Sequence, residues 1–260
     1  MNSATNVIGR ILFVCSGNSE DFSIPPFIKS QGDALDKPGV EIEYFTIRGS
    51  GIEGYYRSIS ELAKYLKEKK FDIIHAHYVL SGLVAVLSLS KTPIVLSLMG
   101  TDAYGEFIGN NKVSFKSRFI TLLTFFIQPF VKAIISKSKY IASFVYRKKV
   151  SHVIPNGVDL EKFKPKPKSM RKELGLEMNK KYVLFLGDTS YKRKNFELAE
   201  KAVRKIGDRE IELLAPYPVP PEKVVDYLNA ADVLVQTAFM EGSSNVIKEA
   251  MACNCPIVST

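Results

Sequence analysis

The stretch Val233-Leu-Val-Gln-Thr-Ala-Phe-Met-Glu241-Gly-Ser-Ser-Asn-Val-Ile-Lys-Glu249-Ala-Met-Ala-Cys-Asn-Cys-Pro256-Ile-Val-Ser259 decides the fold. Residues 233–236 are an apolar run of strand length, a polar turn bearing one glycine and two serines follows, residues 244–252 have helix length, and residues 256–259 turn apolar again. Strand, helix and strand in that order make a βαβ unit, whose crossover leaves its two strands parallel in one sheet. Working upstream, the same alternation continues, with strands expected at 182–186 and 211–215 and helices at 196–206 and 222–230. It recurs in the first half, with strands at 10–15, 40–47, 71–75, 94–98, 133–136 and 152–154, and helices at 54–69, 79–89, 114–126 and 137–146. Ile59, Leu62, Ala63 and Leu66 have the three-and-four spacing of a one-sided amphipathic helix. The pattern predicts an α/β fold of parallel sheets covered on both faces.

The chain has 260 residues, 46% of them hydrophobic, which fits two domains better than one. Between the two series stands Lys164-Pro-Lys-Pro-Lys168, where prolines deny regular structure and charge keeps the segment wet. The expected division is a first Rossmann-like domain over 1–164, a linker over 165–180 and a second, partial Rossmann-like domain over 181–260. The second series looks half finished: about half a domain of further chain would normally close such a sheet, so a C-terminal truncation is expected.

The net charge of +9 is unevenly spread. Between Glu106 and Asp159 there is no acidic residue, while Lys112, Lys116, Arg118, Lys132, Lys137, Lys139, Arg147, Lys148 and Lys149 all fall inside. Such a patch attracts anions. The apolar run 119–130 is interrupted by Gln128 and Pro129 and is too short to span a membrane. It reads first as a buried helix beside a solvated basic face, and second as peripheral docking on an anionic membrane. Residues 1–9 are polar and the apolar run 11–15 is too short for a signal-peptide core, so a cytoplasmic protein is expected, with peripheral contact at the inner face of the membrane as the second reading. No nucleic-acid partner is expected. Cys15, Cys253 and Cys255 lack the spacing of a zinc or redox site and read as reduced, the last two as core.

Open α/β sheets bind ligands beyond the carboxyl ends of their strands. After the first strand comes Cys15-Ser-Gly-Asn-Ser-Glu20, a turn whose amides could face an anion. It lacks the G-x-G-x-x-G of a dinucleotide fold, which counts against an oxidoreductase. It also mimics the start of the low-molecular-weight tyrosine phosphatases, but Asp21 stands where that family needs an arginine, so Cys15 reads as a buried strand end. His75 and His77, two apart, share a face of the third strand; polar contacts at a crevice rim are preferred over a metal pair. Asp102 in Met99-Gly-Thr-Asp102 reads either as a rim residue or as a helix or turn cap.

In the second half, Lys192-Arg-Lys194 crowds cations at a helix entrance, where the dipole favours anions; a bound phosphate would relieve that cost. Ser244 and Asn245 read as natural caps of the helix after Glu241, whose first amides form an anion site. Glu241 precedes this helix and Glu249 lies within it.

These residues carry a resemblance. Ile154-Pro-Asn-Gly-Val-Asp159 with Phe163-Lys-Pro165, the segment 187–195, and Glu241 with Glu249 continuing Ala-Met-Ala-Cys253 resemble the retaining glycosyltransferases of GT-B architecture, family 4 type. The resemblance covers essentially the whole chain. It implies two Rossmann-like domains facing a cleft, and a sugar moved from a nucleotide-sugar donor, linked to UDP or GDP, to a saccharide, lipid-linked or small-molecule acceptor with retention of anomeric configuration. It places Lys194 and Arg193 on the donor diphosphate, Ser244 and Asn245 at the helix-start amides on the phosphate, Glu249 on the ribose, and Glu241 at the donor sugar as an orienting group. Gly17 matches the glycine loop of the first domain, and His77 and Asp102 fall on the acceptor side, Asp102 near the reacting centre. The sequence departs from the family pattern at Asp188, where an arginine is common, at Ser244, where a proline is usual, and at Met99, where a histidine is common. The resemblance implies no cofactor and no metal: a leaving diphosphate needs either an ion or fixed cations and dipoles, and the chain has the cations but no Asp-x-Asp pair. Two alternatives remain, a nucleotide-sugar 2-epimerase of the same architecture and a truncated, weakly donor-binding fragment without catalysis.

Overall fold

The computed structural model describes residues 9–18, 22–49, 51–108 and 112–260. Residues 1–8, with the polar N-terminus, and Ser19, Glu20 and Asp21 of the first turn lie outside the described residues. The chain divides into two compact units, residues 1–105 with 114–156, and 106–113 with 157–260.

The first unit runs β1 (Gly9–Ser16), α1 (Pro26–Leu35), β2 (Val40–Ile47), α2 (Gly51–Glu68), β3 (Ile73–His77), α3 (Val79–Leu87), β4 (Ile94–Leu98), α4 (Thr101–Tyr104), α5 (Phe115–Ile127), β5 (Ala133–Ser136), α6 (Lys139–Ser143) and β6 (Ser151–Val153). Its six strands lie in the order β2-β1-β3-β4-β5-β6, all parallel. The inner strands read as continuous apolar runs because both faces are covered: Leu12, Phe13, Val14 and Cys15 are all fully buried. Leu62 and Leu66 are the buried residues of the apolar stripe on α2.

The second unit runs α7 (Met170–Glu173), β7 (Lys181–Leu184), α8 (Phe196–Ile206), β8 (Ile211–Leu214), α9 (Val224–Ala230), β9 (Val233–Gln236), α10 (Asn245–Ala252) and β10 (Ile257–Ser259). Its strands lie in the order β10-β9-β7-β8, again all parallel. One face of this sheet packs Leu184, Leu234, Val225, Leu228, Ala250, Cys253 and Cys255 into a core that also takes Phe163, so the chain joins this unit before the lysine–proline segment. Phe185, Ala199 and Val235 pack together in a second cluster.

In both sheets the chain reverses its winding beside the first strand of the unit, between β1 and β3 and between β7 and β9. Such a switch point parts the loops that leave the strand ends and opens a crevice there. The loops after β1, β7 and β9 carry Gly17, Lys192–Lys194 and Glu241, while Asp102 follows β4 and the two histidines lie within β3.

The segment 165–180, expected as a linker, is tied to the second unit. Lys166 N donates to Asn229 Oδ1 at 2.6 Å, Lys166 pairs with Asp226 at 3.0 Å, and the buried Arg171 of α7 pairs with Asp232 at 2.6 Å while donating to Ala230 O. Its cations have carboxylate partners far away in sequence, which a reading of local charge cannot see. The run 119–130 corrects the preferred sequence reading: α5 sends its phenylalanines outward rather than into the core.

Candidate functional site

Lys194 and Glu241 come from the loops that follow β7 and β9, the two strands flanking the switch of the second sheet. After β7 the chain passes Gly187 and forms a short 3-10 helix over Lys192–Lys194, then Asn195 takes the left-handed conformation (φ 52°, ψ 47°) before α8 begins. This turn is pinned from the other loop. Thr237 Oγ1 donates to Lys194 O at 3.2 Å and to Asn195 O at 2.9 Å, and Phe239 N donates to Arg193 O at 3.0 Å. The Lys194 stem lies over Gly187, where a Cβ would stand 3.6 Å from Cδ and Cε.

The pinned turn aims two cations at one carboxylate. Lys194 Nζ is 2.7 Å from Glu241 Oε1 and Arg193 Nη1 is 3.1 Å from Glu241 Oε2. Arg193 also donates to Met240 O at 2.9 Å and lies 5.3 Å over the Tyr191 ring. Gln236 Nε2 reaches Glu241 Oε1 at 3.4 Å. Burial works to raise the Glu241 pKa, but the charges of Lys194 and Arg193 outweigh it, and the carboxyl is held below its usual range. The sequence anticipated a phosphate as the relief for crowded cations; in the structure Glu241 neutralises part of that charge.

Eight residues form α10, with Ser244 at its N-cap position. The side-chain capping expected of Ser244 does not occur: it holds the N-cap position with an extended backbone and makes no capping hydrogen bond. Asn245 opens the helix, and Glu249 lies one turn further on the same face. Burial raises the Glu249 pKa, with Lys162 and then Lys248 pulling the other way. Lys248 Nζ donates to Ser243 Oγ at 2.7 Å, which ties the helix back to the loop. Asp188, where the family pattern has an arginine, turns back on its own loop and accepts from Ser190 N at 2.8 Å and Ser190 Oγ at 2.6 Å. Sequence reading passed over Gln236, Thr237 and Lys162; the polar Gln236 ending the otherwise apolar strand β9, with Thr237 just after it, was the available signal for the first two.

In the first unit, β3 extends to His77, so both histidines belong to the strand. They do share a face: their rings stack at 4.2 Å, beside Phe13. They are not at an open rim. His75 bonds Ser97 Oγ at 2.8 Å, and burial, then the nearby Lys137 charge, lowers its pKa to about 3. His77 is 1% exposed, neither ring nitrogen has a hydrogen-bond partner, and burial, His75 and Lys137 hold it neutral.

Asp102, fully buried, acts as a brace. Oδ1 accepts from Met99 N and Gly100 N, both at 2.9 Å, and Oδ2 accepts from Val79 N at 3.1 Å at the start of α3. Of the two sequence readings, the cap describes these contacts. Burial still raises its pKa to about 6 against those amides. Gly17 sits where the loop after β1 is squeezed: a Cβ there would be 2.9 Å from Thr46 Cβ. Cys15 is buried and its thiol is pushed up to about 12 by burial, which removes any nucleophilic role near neutral pH. Among the described residues no group of three or more His, Cys, Asp or Glu side chains gathers as a metal site.

Two family models match in tandem: Glycosyltransferase Family 4 over residues 27–162, more than half of the chain, and Glycosyl transferases group 1 over residues 180–260. The chain is 29% identical to a putative teichuronic acid biosynthesis glycosyltransferase of Bacillus subtilis, over 78% of this chain and 57% of that protein. It therefore spans little more than half the length of that relative. It is 24% identical to the UDP-Gal:alpha-D-GlcNAc-diphosphoundecaprenol alpha-1,3-galactosyltransferase of Escherichia coli, over 92% of this chain and 72% of that one. Among solved structures it resembles a sucrose-phosphate synthase from Thermosynechococcus elongatus (TM-score 0.70, 17% identity, 96% of this chain, 81% of that chain). It also resembles the HepE protein of Anabaena in complex with UDP and glucose (TM-score 0.65, 17% identity, 96% and 80%). These likenesses agree with the strand order in showing the GT-B type of α/β fold, two Rossmann-like parallel-sheet domains. With its first unit matched by one model and its second by the other, the chain belongs to glycosyltransferase family 4.

Proposed function

We propose that this chain transfers a sugar from a nucleoside-diphosphate sugar to a saccharide or lipid-linked acceptor, with retention of configuration. The observation that carries the reading is the convergence of Lys194 and Arg193 on Glu241 just ahead of α10. A leaving diphosphate develops negative charge, and fixed cations beside a helix N-terminus stabilise that charge without reorganising. In this reading Lys194 and Arg193 exchange part of their contact with Glu241 for the diphosphate, and the amides at Ser244 and Asn245 add to the anion site. Glu241, released in part from its cations, orients the donor sugar, and Glu249 takes the ribose hydroxyls. No metal or cofactor is assigned, the cations doing the work of an ion. Gly17 permits the close turn after β1 in the first unit, and that unit, with His77 buried in β3, is assigned to the acceptor. Asp102 serves the reaction by positioning the 99–105 turn, since its oxygens are committed to backbone amides.

The relatives support the substrate class. The name of the E. coli protein gives a UDP-sugar donor and a diphosphoundecaprenol-linked acceptor, and HepE is described with UDP-glucose. The B. subtilis relative is named for teichuronic acid biosynthesis. The test is sugar transfer from UDP- and GDP-sugars by the chain and by Lys194→Ala. Loss of one charge-stabilising donor is expected to cut turnover by on the order of 10²-fold or more. Near-normal transfer by Lys194→Ala would refute the assignment, and inversion at the anomeric carbon of the product would refute retention.

A further inference from the structure

Helix α5 is built inside out. Ser117, Thr124 and Ile127 are its buried residues, and Gln128 just beyond it is fully buried. The large apolar side chains go the other way: Phe115 is 85% exposed, Phe119 68%, Leu122 52% and Phe126 60%. At 3.6 residues per turn these four fall within about 60° of arc, one continuous stripe. Hydrogen bonds fix the helix in this rotation. Thr124 Oγ1 donates to Asp102 O at 2.6 Å, and Gln128 Oε1 accepts from Tyr146 N at 3.1 Å. Turning α5 to bury its phenylalanines would strand these polar groups, so the outward stripe is a fixed feature of the unit.

Lys116 and Arg118 on the same helix, and Lys132 just past it, are exposed and make no ion pair among the described residues. No acidic residue occurs anywhere between Glu106 and Asp159 to offset them. An apolar stripe whose charged neighbours on its own helix are all cations matches a helix lying in the plane of an anionic lipid surface, rings at the acyl boundary and cations at the headgroups. A second copy seated on the same stripe would set cations against cations. We infer that α5 docks this chain on an anionic lipid bilayer. It docks without crossing, since among the described residues no helix is long and apolar enough to span a membrane.

The inference is independent of the transfer reaction and is read without donor or acceptor, by co-sedimentation with vesicles. The chain is expected to bind vesicles of phosphatidylglycerol mixed with phosphatidylcholine, to bind phosphatidylcholine alone at least tenfold more weakly, and to release as salt is raised. Phe119→Ser with Phe126→Ser is expected to weaken binding about tenfold or more at an unchanged melting temperature, since both side chains are exposed. Lys116→Glu with Arg118→Glu is expected to weaken it about fivefold or more per cation. Equal binding to both kinds of vesicle, no binding to either, or a dimer in sedimentation velocity that the phenylalanine variant dissolves would overturn it. Transfer to a soluble acceptor by the same variants separates a failure of docking from a failure of catalysis.

Discussion

At position 241 one carboxylate faces two cations, Lys194 at 2.7 Å and Arg193 at 3.1 Å, and both cations are the groups proposed to hold a diphosphate. The carboxylate and the ligand therefore compete. Removing its charge in Glu241→Gln takes away a repulsion that, at a separation of about 6 Å and an effective dielectric near 20, amounts to about 2–3 kcal/mol before screening. Isothermal titration is expected to show UDP or GDP binding on the order of tenfold tighter to Glu241→Gln while turnover falls; unchanged or weaker binding would show that the ligand does not use these cations. The same pair sets a pH dependence. Because the cations hold the Glu241 pKa below its unfolded value, its contribution to stability is present above the ordinary carboxylate range and fades as pH falls through the folded value. The stability gap between the native chain and Glu241→Gln should therefore shrink between neutral pH and about pH 3.5, as read by thermal melting. At this scale Glu241 and Glu249 were legible by their spacing and Lys194 by its run of cations, and the structure brings Lys194 onto Glu241. Thr237, which bonds the carbonyls of Lys194 and Asn195 from more than forty positions away, was not, because nothing local marks a hydroxyl as the clamp of a distant turn.

At the scale of elements, the strands were the readable part. β2, β4, β5 and β9 have the bounds read from the sequence: β4, β5 and β9 are short, largely apolar strands, whereas β2, at the sheet edge, alternates Val40, Ile42 and Tyr44 with Glu41 and Glu43. Helix α1 escaped the sequence reading: it carries Gly32 near its centre, a poor helical signal, and Pro26 at its first position, a residue that suits a helix start, was the available cue. That glycine is explained by packing, since a Cβ at Gly32 would fall 1.8 Å from the Tyr44 hydroxyl. The rotation of α5 was equally hidden, because apolar residues at helical spacing predict burial and only the hydrogen bonds of Thr124 and Gln128 overrule it. Gly17 carries the prediction of this scale. Its ideal Cβ would lie 2.9 Å from Thr46 Cβ and 3.3 Å from Ser23 O, so Gly17→Ala must spread the ends of β1 and β2. Denaturant unfolding is expected to show a loss of about 1–3 kcal/mol, whereas a stable Gly17→Ala would mean that the loop gives way freely.

For the whole molecule, the cations and carboxylates proposed for the donor lie in one unit: Arg193, Lys194, Glu241 and Glu249 all belong to residues 157–260. The braced Asp102, the stacked histidines and the outward stripe of α5 belong to the other. A ligand that binds only the folded form of one unit raises the stability of that unit by an amount set by its concentration relative to its dissociation constant, about 2.7 kcal/mol at a hundredfold excess. Scanning calorimetry of the chain should therefore resolve a UDP- or GDP-dependent rise concentrated in one transition. Lys194→Ala is expected to abolish that rise and to leave the ligand-independent transition where it was, because the ion pair of Lys194 with Glu241 lies within its own unit. Phe119→Ser with Phe126→Ser is expected to leave both transitions and the nucleotide response unchanged. A nucleotide shift that survives Lys194→Ala, or one that falls on the transition of the first unit alone, would move the donor site away from the loops after β7 and β9.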